Sequence, residues 1–197
     1  MSVTIDVGTV LRGTVCALYS NLVTRSTGAA VRRAIEAQVA EVAGAAQADA
    51  AARPVVATID FSQVELLDFS CADEIVAKLL LRMGQDVAWP GYVAFMGLHD
   101  AHLDPIETVL ERHALALVSW HDGEAELFGE VEADERRHWE VVRDHGPASP
   151  DVVARQLAVD AGCSARVLER LSARRLVMRG GAGYVVPGPP GLRRGDT

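Results

Sequence analysis

Three groups of residues carry side chains able to do chemistry. The first lies in Ile59-Asp60-Phe61-Ser62-Gln63-Val64-Glu65-Leu66-Leu67-Asp68-Phe69-Ser70-Cys71-Ala72-Asp73-Glu74, where Asp68-Phe69-Ser70 presents a hydroxyl at the start of an expected helix. Ser70 has two readings. With Asp73 it forms a serine-x-x-acid capping pair, worth about 1 kcal/mol. Alternatively it is a phosphate acceptor, which the helix dipole favours and the acids Asp68, Asp73 and Glu74 oppose. The second group, residues 24–28, gathers Thr24, Arg25, Ser26 and Thr27 before a helix. Hydroxyls, backbone N–H groups and a fixed cation make an anion or carboxylate site there; the plainer reading has Thr27 capping its helix and Arg25 pairing with an acid, Asp68 or Asp73 if the segments meet. The third group is His99, Asp100 and His102 with His121 and Asp122, placed after strands, where sites on open sheets lie. No glutamate or cysteine completes a ligand set of metal-binding spacing, so these are expected to be loop residues, with no metal and no cofactor. Neither a nucleophile elbow nor a cysteine next to a histidine in sequence is present, and no enzymatic role is expected.

A further set is basic. If Val167, Leu168 and Leu171 face inward on a helix, Arg166 and Arg170 lie one turn apart on its outer face. Arg174, Arg175 and Arg179 follow, toward a hairpin. Between residues 146 and 187 six arginines stand against three acids, a local excess of the sign that double-stranded DNA requires. Glu169 between the two helical arginines and a glycine-rich hairpin tip argue for protein docking instead.

These residues need a scaffold, and the apolar pattern supplies one. Residues 2–7 read as a strand, 9–22 as a helix, and 27–43 as a long helix with Val31, Ile35, Val39 and Val42 on one face. Residues 55–61 are a continuous apolar run of the kind buried on both faces of a parallel sheet. Helix 71–83, strand 92–98, helix 102–113, strand 116–120, an Asp122-Gly123 turn and strand 125–128 follow. Alternating strands and helices predict an α/β sheet with crossover helices. Beyond residue 129 the expectation is a helix at 134–144, a second opened by Ser149-Pro150 and stopping at Gly162, a third opened by Ser164, and two short strands at 176–178 and 184–186.

The run around Asp68-Phe69-Ser70 resembles the STAS fold of anti-sigma-factor antagonists, and more closely the divergent STAS-like group found with helix-turn-helix or histidine-kinase-type ATPase partners. The resemblance spans about residues 1–128 and implies a phosphorylatable serine at Ser70, although the family glycine is replaced by Cys71. Residues 162–171, with Arg174-Arg175-Leu176-Val177 and Gly183-Tyr184-Val185, resemble the recognition helix and wing of bacterial winged-helix regulators. The expected organisation is therefore a STAS-like α/β domain over 1–129, a winged helix-turn-helix over 130–187 and a disordered tail over 188–197. The implied function is a bacterial regulator in which a partner-binding domain, meeting an ATPase or anti-sigma factor through Ser70, Asp68, Asp73, Thr24, Arg25 and Thr27, controls a DNA-binding winged helix. A docking scaffold without DNA, or a small-ligand sensor using the 24–28 and 99–102 loops, are the alternatives.

Composition sets the outer limits. The chain has 197 residues, 49% of them hydrophobic and 5% aromatic, which excludes disorder and collagen. With no bilayer-length apolar run and no signal-peptide pattern at the N-terminus, a cytoplasmic location is expected. Cys16, Cys71 and Cys163 are odd in number and far apart, so reduced thiols are expected. The net charge of -8 excludes a nonspecific nucleic-acid coat, but it is unevenly held: residues 1–128 carry 8 basic and 17 acidic side chains, the remainder 11 and 10.

Overall fold

The apolar run Val55–Asp60 forms the central strand of a mixed α/β structure. The computed structural model describes residues 2–15, 20–47, 54–85, 91–189 and 191. Strands β1 (Ser2–Asp6), β3 (Val55–Asp60), β5 (Gly91–Met96), β6 (Ala116–His121) and β7 (Glu124–Gly129) form a sheet in the order β1-β3-β5-β6-β7. The first four are parallel, and β7 returns antiparallel from β6 through the Asp122-Gly123 turn. A separate two-stranded parallel sheet pairs β2 (Asn21–Leu22) with β4 (Leu66–Leu67).

Strand alternation sends Ile5, Ile59, Val93, Phe95 and Leu117 to one face. There they meet α1 (Val7–Thr14), α2 (Arg25–Gln47), α5 (Asp100–His113) and a composite helix. The composite helix is α3 (Phe69–Ala72), a π-helical turn (Asp73–Ala77) and α4 (Lys78–Gln85). Val31, Ile35 and Val39 of α2 point into this core at the predicted spacing.

The opposite face, bearing Ala94, Val118, Trp120, Ala125 and Leu127, is equally apolar and is covered by the C-terminal segment. That segment comprises α6 (Ala133–His145), α7 (Pro150–Leu157), α8 (Ala161–Ala173) and the hairpin β8 (Met178–Gly180) with β9 (Gly183–Val185). Val142, Val153, Val167, Leu168, Leu171 and Val177 share one cluster with the sheet residues, and Trp139 at 1% exposure is its largest fully buried member. Ala148, between α6 and α7, forms a bridge to Tyr184 of the hairpin. The two halves of the sequence thus share a core.

Several boundaries differ from the sequence expectation. The predicted helix 9–22 is shorter: α1 begins at Val7, capped by Asp6, and ends at Thr14, while Asn21–Leu22 is strand because Leu22 is needed in the small sheet. Within that span, residues 16–19 lie outside the described residues. In the C-terminal segment α7 stops at Leu157, where Ala158 turns left-handed at φ 54°, rather than at Gly162. Asp160 then caps α8 by accepting from the Cys163 N–H at 3.1 Å, so the helix opens before Ser164. Ser164 is buried and hydrogen-bonded to His138 Nε2 at 3.2 Å. The hairpin starts two residues late because Leu176 and Val177 are drawn into the core. Packing also runs past residue 187. Pro187, Gly188 and Pro189 are buried, and Trp120 Nε1–H donates to the Pro187 carbonyl at 2.9 Å. Of the expected disordered tail, residue 190 and residues 192–197 lie outside the described residues. No helix among the described residues is long and apolar enough to cross a membrane.

Candidate functional site

The small β2–β4 sheet brings the first two residue groups together. Asp68 N–H donates to the Leu22 carbonyl at 2.8 Å, so the starts of α2 and α3 lie side by side. Gly28 permits this approach: a Cβ there would sit 3.0 Å from Cys71 Cα and from Glu74 Cβ. The Cys71 thiol closes the seam by donating to the Thr24 carbonyl at 3.0 Å. Burial, and then the neighbouring Asp68 charge, push that thiol up to about 12, which makes it inert.

Thr24, rather than Thr27, caps α2. Its Oγ1 accepts from the Thr27 N–H at 3.2 Å and lies 2.8 Å from Thr27 Oγ1 and 3.1 Å from Ser26 Oγ. On α3 the cap is Asp68, not the expected Ser70–Asp73 pair. Asp68 Oδ1 accepts from the Cys71 N–H at 2.8 Å and from Ser70 Oγ at 2.9 Å. Burial works to raise the Asp68 carboxyl, but the bonds from Cys71 and Ser70 outweigh it and hold it below its ordinary value.

Asp73 is drawn away from the cap by charge. Its Oδ2 accepts from Arg25 Nη1 at 2.9 Å and its Oδ1 lies 2.8 Å from His113 Nε2. The same Arg25 nitrogen donates to Glu74 Oε1 at 2.9 Å. Lys78 also pairs with Glu74, and the Arg32 guanidinium comes within 3.8 Å. Asp73 and Glu74 are both buried and adjacent in sequence, and both lie in the π-helical turn, a distortion found often at functional sites. For each, burial works to raise the carboxyl, and hydrogen bonds from His113 and Arg25, or from Lys78 and Arg25, win and lower it. Of the two acids expected to meet Arg25, Asp73 does. Glu74, His113, Lys78 and Arg32 complete the network; the i,i+4 spacing of Glu74 and Lys78 is its one local trace in the sequence.

Over this polar seam the surface is apolar. Val23, just after β2, Leu66 of β4 and Phe69 at the start of α3 are 44%, 45% and 48% exposed, beside Thr24 and half-buried Ser70.

The histidines take structural places. His102 is buried, its Nε2 and that of His99 both 3.0 Å from the Val64 carbonyl, and the two rings stack at 3.7 Å. Burial, with His99 nearby, lowers His102 to about 4, so it is neutral. Among the described residues no group of three or more His, Cys, Asp or Glu is placed to hold a metal ion.

The five arginines expected to face DNA divide. Arg166 and Arg179 are exposed, the latter with its guanidinium 5.8 Å from the Tyr184 ring centre. The other three are paired, Arg170 while still 50% exposed. Glu135, 4% exposed, accepts from Arg170 Nε at 3.2 Å and from Arg174 Nη1 at 2.7 Å, and Arg174 also reaches the Glu130 carbonyl. Arg175 donates to the Gly91 carbonyl of β5 at 2.7 Å and lies over the Tyr92 ring. Arg170 and Arg174 thus tie α8 to the start of α6, and Arg175 ties the same segment to the sheet. Spacing on α8 could not reveal this, since Glu135, Glu130 and Gly91 lie 35 to 84 residues away.

Set against models of known protein families, curated proteins and solved structures, the chain matches none.

Proposed function

We propose that this chain is a regulatory protein in which a STAS-like partner-binding domain controls a winged helix-turn-helix. The order of α6, the Ala148 bridge, α7, α8 and the β8–β9 hairpin supports the winged-helix reading. Strand, crossover helix and the serine-bearing start of α3 support the STAS-like reading.

One observation carries the control. Arg170, Arg174 and Arg175 are held by Glu135, Glu130, Gly91 and Tyr92, although Arg170 stays 50% exposed, and Arg166 and Arg179 are the two of the five with no ion pair or side-chain hydrogen bond among the described residues. Arg170 and Arg174 are held within the winged helix by α6 and Arg175 by the sheet, so the basic surface offered to DNA depends on these pairings, and a partner that shifts α6 or its neighbours changes the field. The partner docks at Val23, Leu66 and Phe69 beside Thr24, Arg25, Thr27, Asp68, Ser70 and Asp73. Its class is the one implied by the STAS-like resemblance: a histidine-kinase-type ATPase or anti-sigma factor. Duplex DNA titrated in rising salt tests the output. Affinity falls with a steep slope, and the Arg166→Ala, Arg179→Ala double variant flattens it; the absence of salt-sensitive binding identifies a docking scaffold instead.

A further inference from the structure

A cleft with room of about 400 Å³ opens at the carboxyl end of β6, on the face of the sheet that carries α1, α2 and α5. Ser119, His121, Glu126 and Phe128 share this side, as the β6–β7 register requires: Ser119 lies opposite Glu126, and Leu117 opposite Phe128. The facing wall is the first turn of α5 and the residue before it, His99, Asp100 and Leu103, with Leu98. The position is where small molecules bind in open α/β sheets, and the volume falls within the usual range for them.

Three features define what would fit. Ser119 is 4% exposed and lines the cleft, yet its hydroxyl has no hydrogen-bond partner among the described residues. Among the described residues the fully enclosed unpartnered polar atoms are Arg32 Nε and Thr58 Oγ1, so the Ser119 hydroxyl is reachable from the cleft and a ligand group can bond to it. Asp100 and Glu126 are exposed, on opposite walls, and neither makes an ion pair among the described residues. Two full negative charges outweigh the roughly half positive charge of the α5 N-terminus, and stacked His102 adds none. His99 and His121 also line the cleft, His121 with its Nε2 3.3 Å from Asp122 Oδ2. The apolar part of the lining is Leu98, Leu103 and Phe128.

We propose that this cleft binds a small organic amine: an ammonium group between Asp100 and Glu126, an apolar body against Leu103 and Phe128, and a distal hydroxyl bonded to Ser119. The site is independent of the docking surface at Phe69 and of the arginines on α8, so either reading can fail alone.

Tyramine is the probe, compared with phenethylamine, which lacks the hydroxyl, and 4-hydroxyphenethyl alcohol, which lacks the charge. Amide resonances of Ser119, Glu126 and Leu103 shift saturably with tyramine, and the two analogues bind at least about tenfold more weakly, the equivalent of 1.4 kcal/mol. Glu126→Gln weakens tyramine by a similar factor, and Ser119→Ala removes the preference for tyramine over phenethylamine, both with unchanged far-UV circular dichroism. Absence of saturation by about 10 mM, a range in which even a weak site fills, overturns the proposal. So does equal binding of the uncharged alcohol, or unchanged affinity in Glu126→Gln.

Discussion

Replacing Trp139 by alanine tests whether the C-terminal segment shares its core with the sheet. Trp139 is 1% exposed, belongs to the cluster containing Val118, Trp120 and Leu127, and donates its indole N–H to the Leu176 carbonyl at 3.1 Å. Truncation of a buried tryptophan costs about 3–5 kcal/mol, including the cavity left behind. For a domain of this size 1 kcal/mol moves the melting temperature by about 2–4 °C, so the expected fall is on the order of 10 °C. Because Trp139 belongs to the cluster that the C-terminal segment shares with the sheet, the α/β part and the C-terminal part melt together, earlier, in one calorimetric transition. Trp139→Phe, which keeps most of the apolar contact and leaves the Leu176 carbonyl without its donor, costs about 1–2 kcal/mol. Two transitions in the wild-type protein, with Trp139→Ala lowering one and leaving the other in place, would refute the shared core.

Other outcomes follow from the site. Asp73 and Glu74 are depressed in the fold, so they contribute stability above their unfolded values of about 3.9 and 4.3 and lose it as pH falls through the lower folded values. Arg25→Met therefore destabilises the protein at pH 7, moves acid unfolding to higher pH, and has little effect near pH 2, as chemical denaturation across pH will show. His102, lowered to about 4, is a proton acceptor in the unfolded chain at pH values where the fold keeps it neutral. Between pH 6.5 and 4 it withdraws stability on the order of 3 kcal/mol as pH falls, and His102→Gln flattens that window. Gly28→Val forces α2 off Cys71 and Glu74 and lowers the melting temperature more than Gly44→Val, because Gly44 has open space around it. Cys71 resists thiol reagents in the native protein while Cys163, half-buried, reacts, which mass spectrometry after alkylation will separate.

The sheet was legible because its signals are local. The run at 55–61 told of burial on both faces, and the Asp122-Gly123 turn of a strand returning at 125–128. What covers the second face was not legible: Ala94, Val118 and Trp120 announce an apolar surface without naming α6 and α8 as its cover. Among the site residues, charge left Arg25 a choice of Asp68 or Asp73 and the fold selects Asp73, whereas the capping role of Asp68 displaced that of Ser70 because Asp73 is claimed by Arg25 and His113 from other elements. The arginines show the same limit from the other side. Outward spacing on α8 places Arg166 and Arg170 alike, and only the fold shows that Arg170 meets Glu135 while Arg166 faces solvent.

The account's central claim is that the pairing of its arginines sets the basic surface of the winged helix, and Glu135, which holds Arg170 and Arg174, is where that pairing is most directly altered. Duplex DNA binding is measured across a salt series for the wild type and Glu135→Gln, with circular dichroism confirming the fold of both. Freed Arg170 and Arg174 should tighten binding at low salt and steepen the log–log salt dependence by about one to two phosphate contacts. Identical slopes for the two proteins, or no salt-sensitive binding by either, would contradict it.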